Sequence, residues 1–468
     1  MILEKAGEIM NFVIDDVKDI LNRNNDFAYI VGGYIRDKLI KAKNVPKDID
    51  IIYDGDIQLF IKELRKKDYS VFELKQEMGI YRAVKENKTL DIAKLKGDSL
   101  EEDLSYRDFT INAIALKLMD NKIIDPYKGR NHLQNRIIHE VSEESIKDDR
   151  VRILRAHRIA IKYGMHFSKS CENHIIDGSK YIKDYPKERI FNEFIRILED
   201  DKEGKAFEEL ERYGVLQHLI PYIDELKVIG KCKYHIEDAF THMNLVYKNF
   251  IEVLRGRLYI KGLDLNIFDK KIGEFPIKCY MAFAAFSHDI GKAKCYTKNG
   301  DKVSFIGHDK EGAKIISEVC SELGFPKRAQ KFIEKLVEAH MYPLGLCKNK
   351  VKNYKKSFYK LFSRYDEYIP YILVLSFCDI HATKMLYDPD NEEDEFIAYL
   401  ERLFKEYSLY RQAKEKRFLN GSEVIELTGA QREEIKYILE ELDRLTYYGE
   451  IKDKEEAIKI IKGIRVSL

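Results

Sequence analysis

The sequence contains few cysteines and no long apolar run. Its seven cysteines are scattered over 468 residues, are odd in number and include no C-x-x-C pair. This distribution argues against a disulfide framework and a cysteine-rich zinc site, and it predicts a reducing cytosol. No apolar stretch approaches the ~18 residues that span a bilayer, and the acidic, amphipathic N-terminus is unlike a signal peptide. We therefore expect a soluble cytoplasmic protein with no membrane partner.

A strong excess of charge of one sign is also absent. The 81 Lys and Arg residues nearly balance the 80 Asp and Glu residues, which leaves a net charge of +1. The overall charge neither requires nor excludes a nucleic-acid partner, so any basic footprint must be local. A chain of this length exceeds what one hydrophobic core supports, and it predicts two to four domains.

The apolar pattern changes from mixed to helical along the chain. Residues 1–23 have helical spacing, and Ser99 followed by Glu102 has the form of a capping box that begins a helix. Short alternating segments predict strands at 28–31, 48–53, 70–74, 80–84 and 90–93. After about residue 140 nearly all periodicity is helical. The pattern predicts an α+β chain with a small mixed-sheet head and a mostly helical remainder.

We place four domains on this pattern. They are a head at 1–140, a helical neck at 141–230, a histidine-rich helical domain at 231–388 and a helical tail at 396–468. The acidic, turn-rich segment 388–395 predicts a linker before the tail.

Two glycines and two aspartates form the most informative segment. A predicted strand runs into Gly32 and Gly33 and then into a helix, an arrangement whose free backbone N–H groups suit phosphate, and Arg36 lies one turn further along. Asp48 and Asp50 are two residues apart on a predicted strand, so their side chains leave the same face. Adjacent carboxylates repel each other unless a cation lies between them, and Mg²⁺ is the natural occupant. An ordinary turn and a solvated edge strand are the structural alternatives.

Two further groups extend this candidate site. Asp91, in a predicted strand, is a candidate third catalytic carboxylate. Asp149, Arg152 and Arg155 recur at helical spacing, and an acid with a guanidinium offers the acceptors and donors that select a base. The structural alternative for Asp149 and Arg152 is a plain ion pair within a helix.

These motifs resemble the class II tRNA nucleotidyltransferases, a family that includes bacterial poly(A) polymerases and lies within the polymerase-beta superfamily. The resemblance covers roughly residues 25–200 and rests on the segments VGGYIRD, KDIDI, RDFTINAIAL, IIDPYKGRNHLQNRII, DDRVRILRAHRIAIKYG and KERIFNEF. It implies that Asp48 and Asp50 hold catalytic Mg²⁺. It also implies that Gly32, Gly33 and Arg36 bind the triphosphate.

The same resemblance implies roles for two later motifs. Arg107, Asp108 and Asn112 would contribute to ribose and phosphate binding, although Tyr106 stands where the family usually repeats arginine. Asp149 and Arg152 would hydrogen-bond the Watson–Crick edge of the incoming base, and Arg155 continues their face of the helix.

A second constellation of histidines and aspartates lies in the helical half. Its members are His242, His288, Asp289, His308, His340 and Asp379. Mixed imidazole and carboxylate ligands suit a divalent transition metal such as Mn²⁺, Ni²⁺ or Zn²⁺. This region resembles the His-Asp (HD) phosphohydrolase superfamily. The resemblance implies core ligands at His242, His288, Asp289 and Asp379, with His308 and His340 as extra histidines of binuclear or substrate-contacting forms.

Together the resemblances imply an enzyme that adds C residues, as CC or CCA, to the 3′ end of tRNA from CTP and ATP, with an accessory phosphohydrolase domain. One alternative is a poly(A) polymerase of the same family, which is disfavoured because its basic signal motif is not evident after Asp50. The other is an HD phosphohydrolase whose head only binds nucleotide. The oligomeric state and the activity of the second domain stay open.

The connection after Asp91 bears on which bases are added. In family members that finish with A, a flexible loop before the RDFTINA helix acts as a lever when the pocket switches from C to A. Here only IAKLKGD separates Asp91 from Ser99, so that loop is very short or absent. We therefore predict efficient C addition and poor addition of the terminal A. The alternative is that the turn Met78–Arg82 serves as the lever.

Overall fold

The computed structural model describes residues 2–24, 26–42, 48–75, 79–86, 88–230, 237–300, 302–349, 353–386 and 388–464. The chain divides into two compact units. Unit 1 comprises Met1–Asp200 with Glu209–His218, and unit 2 comprises Asp201–Glu208 with Leu219–Leu468. Within the described ranges, no helix combines the length and apolar character needed to cross a bilayer.

Unit 1 is an α+β structure, as predicted. Its strands are β1 Phe27–Val31, β2 Asp48–Asp54, β3 Ser70–Lys75, β4 Ile80–Lys85, β5 Lys88–Lys94, β6 Ala115–Lys117, β7 Ile123–Ile124, β8 Ile137–Ile138 and β9 His166–Phe167. Its helices are α1 Ile2–Asn24, α2 Gly33–Leu39, α3 Ile57–Lys66, α4 Leu100–Ser105, α5 Gly129–Gln134, α6 Ser145–Asp148, α7 Val151–Tyr163, α8 Lys169–Gly178 and α9 Lys187–Asp200. The segment where the chain alternates between the units holds α10 Ala206–Arg212 and α11 Leu216–Leu219.

Unit 2 is almost wholly helical. Its helices are α12 Ile223–Leu226, α13 Ala239–Leu254, α14 Ile277–Ser287, α15 Lys292–Cys295, α16 His308–Glu322, α17 Lys327–Ala339, α18 Tyr342–Lys348, α19 Tyr354–Tyr365, α20 Ile369–Lys384, α21 Glu392–Lys416, α22 Gly421–Thr428, α23 Arg432–Tyr448 and α24 Lys454–Ile464. Two short hairpins interrupt them, β10 Lys271–Ile272 with β11 Phe275–Pro276, and β12 Thr297–Asn299 with β13 Lys302–Ser304.

The sheet of unit 1 has two different faces. Its strand order is β3-β4-β5-β2-β1-β6-β7, and β2 pairs in parallel with β5 while its other pairs are antiparallel. Helix α3 packs on one face, where the rings of Phe60 and Tyr53 stack with centroids 4.2 Å apart. Residues of β2 alternate between faces, so Asp48 and Asp50 lie on the face away from α3.

Apolar helices position the histidine cluster in unit 2. Helix α14 is buried along its length and ends at His288, and α20, equally apolar, carries Asp379. Helix α13 packs against both and carries His242. A helix that is apolar on all sides is buried, so its polar residues face each other inside the unit.

Two details of the sequence prediction differ from the structure. The RDFTINA segment, expected as a helix, forms a 3₁₀ turn at Thr110–Asn112 followed by β6. The segment is extended before the turn because Phe109 forms a β-bridge with Glu140 and the Thr110 amide donates to the His139 carbonyl at 2.9 Å. The backbone of α5 packs closely on the turn, where a Cβ on Gly129 would lie 2.1 Å from the carbonyl oxygen of Thr110. The predicted linker 388–395 is helical from Glu392, because Asp388 accepts hydrogen bonds from the first amides of α21.

Two predicted features fall partly on residues outside the described ranges. Residues 231–236, at the proposed boundary before the histidine-rich domain, and Met78, in the alternative lever, lie outside the described residues.

Candidate active site and metal centre

Asp50 lies directly against the glycine turn. Gly32 has a φ of 73°, and a Cβ at that position would lie 2.8 Å from Asp50 Oδ2, so both the backbone conformation and the space favour glycine. Burial raises the pKa of Asp50, Arg107 opposes that rise, and Asp91 and Asp48 add to it. A carboxylate that is buried among other carboxylates is stabilised by an added cation.

Asp91 lies opposite Asp50 in the register of β5 and β2, but it is already held by an arginine. Arg82 on β4 donates to both of its oxygens, from Nε at 2.7 Å and from Nη2 at 2.8 Å. The structure therefore brings Asp91 to the site as the partner of Arg82.

Arg36 follows the glycine turn on α2, and its guanidinium is engaged on all sides. It donates from Nε to Asp37 at 2.8 Å, from Nη1 to Asn112 at 2.7 Å and from Nη2 to the Tyr163 hydroxyl at 3.1 Å. The Tyr163 hydroxyl in turn donates to Asp37 at 2.7 Å. These bonds fix Arg36 beside the turn. Gly32, at the N-cap position, has no side chain that could cap the first amides of α2.

Asp108 and Asn112 form a buried network that continues from Arg36. Asp108 accepts from the Asn112 side chain at 2.9 Å and from Arg155 Nη1 at 3.0 Å. Burial would raise the pKa of Asp108, but Arg155 and Asn112 hold it below its ordinary value. Arg155 also donates to Glu193 at 2.9 Å. Asp108, Asn112 and Arg155 are thus brought together and mostly satisfy one another.

Arg152 binds main-chain carbonyls of two segments that precede α7. Its Nη1 donates to the carbonyls of Arg107 and Ser145, both at 3.1 Å, and its Nη2 donates to that of Tyr106 at 2.8 Å. These bonds fix the orientation of the guanidinium, since carbonyls on separate segments hold the same fork.

The helical spacing predicts Asp149 on the same helix as Arg152, but Asp149 precedes α7 and lies outside it. Its Oδ2 is 2.5 Å from Arg189 Nη2 and 3.9 Å from Arg152 Nε, and its Oδ1 accepts from the Val151 amide at 3.2 Å. The simple intrahelical pair is therefore replaced by a pair between Asp149 and Arg189 of α9.

In unit 2 the predicted histidines and aspartates converge. His242 Nε2 is 3.0 Å from Asp379 Oδ1, and His288 Nε2 is 3.3 Å from Asp289 Oδ2. Within the described chain, two groups of three residues have ligand atoms within 4.8 Å of one another: His242, His288 and Asp379, and His288, Asp289 and His340.

Asp289 lies between two pairs of histidines. Its Oδ2 is 3.6 Å from His242 Nε2 and 3.3 Å from His288 Nε2. Its Oδ1 is 3.1 Å from His308 Nε2 and 3.8 Å from His340 Nε2. A carboxylate with one oxygen toward each pair has the geometry to bridge two cations. All six predicted residues therefore share one cluster.

The outer nitrogens of these histidines fix the rings. His288, His308 and His340 place Nδ1 at 2.7–2.9 Å from the carbonyl oxygen three residues earlier. His242 differs, because its Nδ1 lies 3.2 Å from the buried carboxylate of Glu237. In each case Nδ1 is the donor that these acceptors require, so Nε2 carries the lone pair that faces the cluster.

The cluster fits a divalent cation. Among the residues that the structure describes, the buried Nε2 of His288 has no hydrogen-bond partner. Burial would lower the pKa of His288, but Asp289 and Asp379 raise it to about 10. A cation bound at the Nε2 atoms would replace a proton on His288 as the positive charge that these carboxylates need, beside the ammonium of Lys292, 2.6 Å from Asp289 Oδ2. Imidazole and carboxylate together are donors that suit transition metals.

Comparison with known proteins agrees with this two-part arrangement. Residues 28–139 match the family described as the Poly A polymerase head domain, and residues 164–227 match the probable RNA- and SrmB-binding site of polymerase A. Residues 264–377 match the HD domain. The Multifunctional CCA protein of Pasteurella multocida is 30% identical over 332 residues, which cover 67% of this chain and 74% of that protein.

The chain belongs to the tRNA nucleotidyltransferase family.

Two relatives match this nucleotidyltransferase over almost its whole length. The CC-adding tRNA nucleotidyltransferase of Thermus thermophilus is 26% identical, with 92% of each chain covered. The A-adding tRNA nucleotidyltransferase of Deinococcus radiodurans is 25% identical, with 92% of this chain and 94% of that one covered. The Thermotoga maritima CCA-adding enzyme, solved with tRNA, shares the fold with a TM-score of 0.61, 20% identity and coverage of 97% and 95%.

Several residues of the nucleotidyltransferase that contact these sites were missed in the sequence. Arg82 contacts Asp91 from the neighbouring strand, nine residues earlier, while Tyr163 and Arg189 contact Arg36 and Asp149 from 127 and 40 residues further along the chain. Tyr163 and Arg189 lie within the segments DDRVRILRAHRIAIKYG and KERIFNEF, which were the available signal. Glu237 and Lys292 lie five residues before His242 and four after His288, so their proximity to these two histidines was the available signal.

Proposed function

We propose that unit 1 adds C residues to the 3′ end of tRNA from CTP and adds the terminal A poorly. The observation that carries the reaction is the pair Asp48 and Asp50 on one strand face, with Asp50 against the Gly32 turn. The turn offers backbone amides to the triphosphate, and the carboxylates suit Mg²⁺, which when bound lowers the pKa of the attacking hydroxyl and offsets phosphate charge. Arg107, beside Asp50, adds a positive charge on the same side.

The preference for C rests on residues 95–98, which connect β5 to Ser99, the N-cap residue of α4. Leu95 donates its amide to the Tyr53 carbonyl at 2.8 Å, and Lys96 donates its amide to Asp103 Oδ2 at 2.9 Å. Asp98 donates its amide to Glu102 Oε2 at 2.9 Å. Three of the four residues are therefore bound through the main chain to the sheet or to α4.

The remaining contacts close the connection further. Gly97 has a φ of 82°, and a Cβ there would lie 2.3 Å from Glu102 Cδ. The Lys96 ammonium lies 3.6 Å from the centre of the Tyr106 ring, a cation–π contact. A segment held in this way has no free length to move when the base pocket must change from C to A. This favours a CC-adding enzyme, for which the Thermus relative offers a precedent.

Base selection would use Asp149 and Arg152. Arg152 is fixed by three carbonyls and Asp149 by Arg189, so a base would meet groups of fixed orientation. Fixed donors and acceptors discriminate between bases better than mobile ones, since a wrong base leaves them unpaired. The buried hydrogen-bond network of Asp108, Asn112 and Arg155 would support this pocket.

The test is incubation of the purified chain with each labelled nucleoside triphosphate on tRNA transcripts ending at the discriminator, at C and at CC. We expect CTP to label the first two transcripts and no triphosphate to label the third efficiently. Long ATP tracts on all three would instead identify a poly(A) polymerase. No incorporation by the wild-type chain with Mg²⁺ would reject the transferase reaction.

We propose a second activity, hydrolysis of a phosphate ester, for the cluster in unit 2. The observation that favours it is Asp289, with one oxygen toward His242 and His288 and the other toward His308 and His340. Transition metals held there would supply an activated water and polarise the phosphoryl group. The Lys292 ammonium lies at the same carboxylate and would meet the phosphate charge.

This second activity is tested with the full chain carrying Asp50→Asn, which silences the transferase. We expect bound metal by elemental analysis and Mn²⁺- or Ni²⁺-dependent hydrolysis of a 2′,3′-cyclic nucleotide. Both should be lost on Asp289→Ala. A chain that binds no metal and hydrolyses nothing with Mn²⁺, Ni²⁺ or Co²⁺ would make the cluster structural only.

A further inference from the structure

A row of side chains continues from the catalytic carboxylates to the edge of the sheet. Asp50 on β2 pairs with Asp91 on β5, and Asp91 pairs with Arg82 on β4. Arg82 in turn pairs with Phe72 on the edge strand β3. Because direct cross-strand partners project from the same face, Phe72 and Arg82 lie on the face that carries Asp50.

This part of the face is open, whereas the other face is covered. Phe72 is 57% exposed, and the Arg82 side chain is 45% exposed. On the opposite face Tyr81, the neighbour of Arg82, is buried and its hydroxyl accepts a hydrogen bond from Gln58 of α3 at 2.7 Å. A single exposed aromatic residue is unremarkable by itself. Phe72 is distinguished by its place in the row that leads to the catalytic carboxylates.

The orientation of Arg82 is fixed. Asp91 accepts hydrogen bonds from Nε and Nη2 of Arg82, and the Nη1 group of Arg82 takes no part in that two-point contact. An arginine held in this way presents its remaining N–H groups in a defined direction, and guanidinium N–H groups suit phosphate oxygens. Asp91 thus acts as a positioning residue for Arg82.

We propose that Phe72 and Arg82 bind the single-stranded 3′ end of the acceptor RNA, with a base stacked on the Phe72 ring and a phosphate at Arg82. This inference rests on the proposed addition of nucleotides at Asp48 and Asp50. Neighbouring strands lie about 4.8 Å apart, so three steps place Phe72 roughly 14 Å from Asp50. That distance puts the stacked base upstream of the terminal nucleotide whose 3′ hydroxyl reacts.

The chemistry of the pair matches a primer better than another ligand. Each addition moves the RNA by one nucleotide, so the base that meets Phe72 changes from one cycle to the next. Stacking on an aromatic ring tolerates every base, unlike hydrogen bonding to base edges. The triphosphate has its own candidate seat at Gly32 and Gly33, at the other end of the row.

The test compares the kinetics of C addition by Phe72→Ala and by the wild type. We expect the KM for tRNA to rise about 5- to 150-fold, the range of one lost base stack, with the KM for CTP unchanged. Phe72→Tyr should restore the wild-type KM because it keeps the ring. Leu74→Ala is the matched control, since Leu74 is 48% exposed on the same strand but lies at an irregularity in the pairing of β3 with β4. Circular dichroism checks the fold of each variant.

Two further measurements separate a direct contact from a structural effect. 2-Aminopurine placed just upstream of the RNA 3′ end should be quenched by the wild type and not by Phe72→Ala. Arg82→Ala and Asp91→Asn should each raise the KM for tRNA, without additivity in the double variant, and each should lower the salt slope of RNA binding by about one.

A Phe72→Ala chain with wild-type KM and wild-type quenching would overturn the proposal, provided that the wild type adds C. Failure of the wild type to add any nucleotide is a different result, because it rejects the transferase reaction itself.

Discussion

Asp50 lies opposite Asp91 in the register of two parallel strands, and Arg82 holds both carboxylate oxygens of Asp91. We therefore propose Asp48 and Asp50 as the carboxylate pair for a cation, since Asp91 is already paired with a guanidinium. Under this proposal Asp48 and Asp50 have a different role from Asp91. The first prediction therefore concerns the two aspartates of β2.

Asp48→Ala and Asp50→Ala should each reduce nucleotide addition below about 1% of the wild-type rate, a loss of ~2.7 kcal/mol or more of transition-state stabilisation. The reason is that each removes half of the carboxylate pair. Single-turnover CTP incorporation measures the loss. Asp54→Ala is the control, since Asp54 ends the same strand, roughly 13 Å beyond Asp50. Substantial addition by either β2 variant would contradict the assignment.

Asp149→Ala and Arg152→Ala should impair the choice of nucleotide more than the rate of reaction. A lost two-point contact to a base edge costs about 1–3 kcal/mol of discrimination. The measurement is misincorporation of UTP and GTP relative to CTP. Arg189→Ala should share the effect of Asp149→Ala, because Arg189 holds that carboxylate at 2.5 Å. Unchanged selectivity in all of these variants would leave Asp149 and Arg152 as structural residues.

Much of the sheet and of its acidic face could be predicted from local patterns. Alternating apolar residues predict β2 to β5 closely, and a two-residue spacing on a strand already places Asp48 and Asp50 on one face. In unit 2, histidines within apolar helices predict convergence, because polar groups on a buried helix must face one another.

The remaining features depend on how separate strands and helices pair. The contact of Arg82 with Asp91 follows from the register of β4 and β5, and the contact of Arg189 with Asp149 joins residues 40 apart. The RDFTINA segment has apolar residues that suit a helix, but the pairing of Phe109 with Glu140, a residue much later in the chain, keeps it extended before a tight turn. Neither the register of two strands nor the proximity of two backbone segments can be predicted from a local sequence pattern.

Glu237→Gln should weaken metal binding by the cluster of unit 2 about 10- to 100-fold. Glu237 is the carboxylate that accepts from His242 Nδ1, and an amide makes that imidazole a weaker ligand. Competition with a chelator for Mn²⁺ measures the affinity, in full chains that carry Asp48→Asn and Asp50→Asn to remove binding in unit 1. Glu318→Gln, an exposed site on α16, is the control. Equal affinities for the two variants would show that Glu237 has no such role.

His157 should make unit 1 sensitive to acid. It is buried, both ring nitrogens lack hydrogen-bond partners within the described part of the chain, and burial lowers its pKa from 6.5 to about 3. Below pH 6.5 the unfolded chain therefore binds a proton that the folded chain does not. Stability should fall as the pH decreases from about 6.5 toward 3, by up to ~1.4 kcal/mol per pH unit from this residue.

His157→Phe should flatten that acid-side slope, because the ring pocket formed with Phe167 and Tyr213 accepts an apolar ring. Urea unfolding at a series of pH values, followed by hydrogen exchange of the α7 amides, measures the slope. His166→Phe, at an exposed position of the same unit, should leave it unchanged. Identical slopes for wild type and His157→Phe would contradict the assignment to His157.

The measurement that tests the account most directly is primer extension on tRNA ending at the discriminator, with CTP and ATP both present. The fixed connection at residues 95–98 predicts rapid addition of two C residues and a product that stays at CC over many turnovers. A tRNA already ending in CC should gain A at a rate at least ~100-fold below C addition, equivalent to ~2.7 kcal/mol. A product that runs to full CCA, with A added as fast as C, would contradict the account.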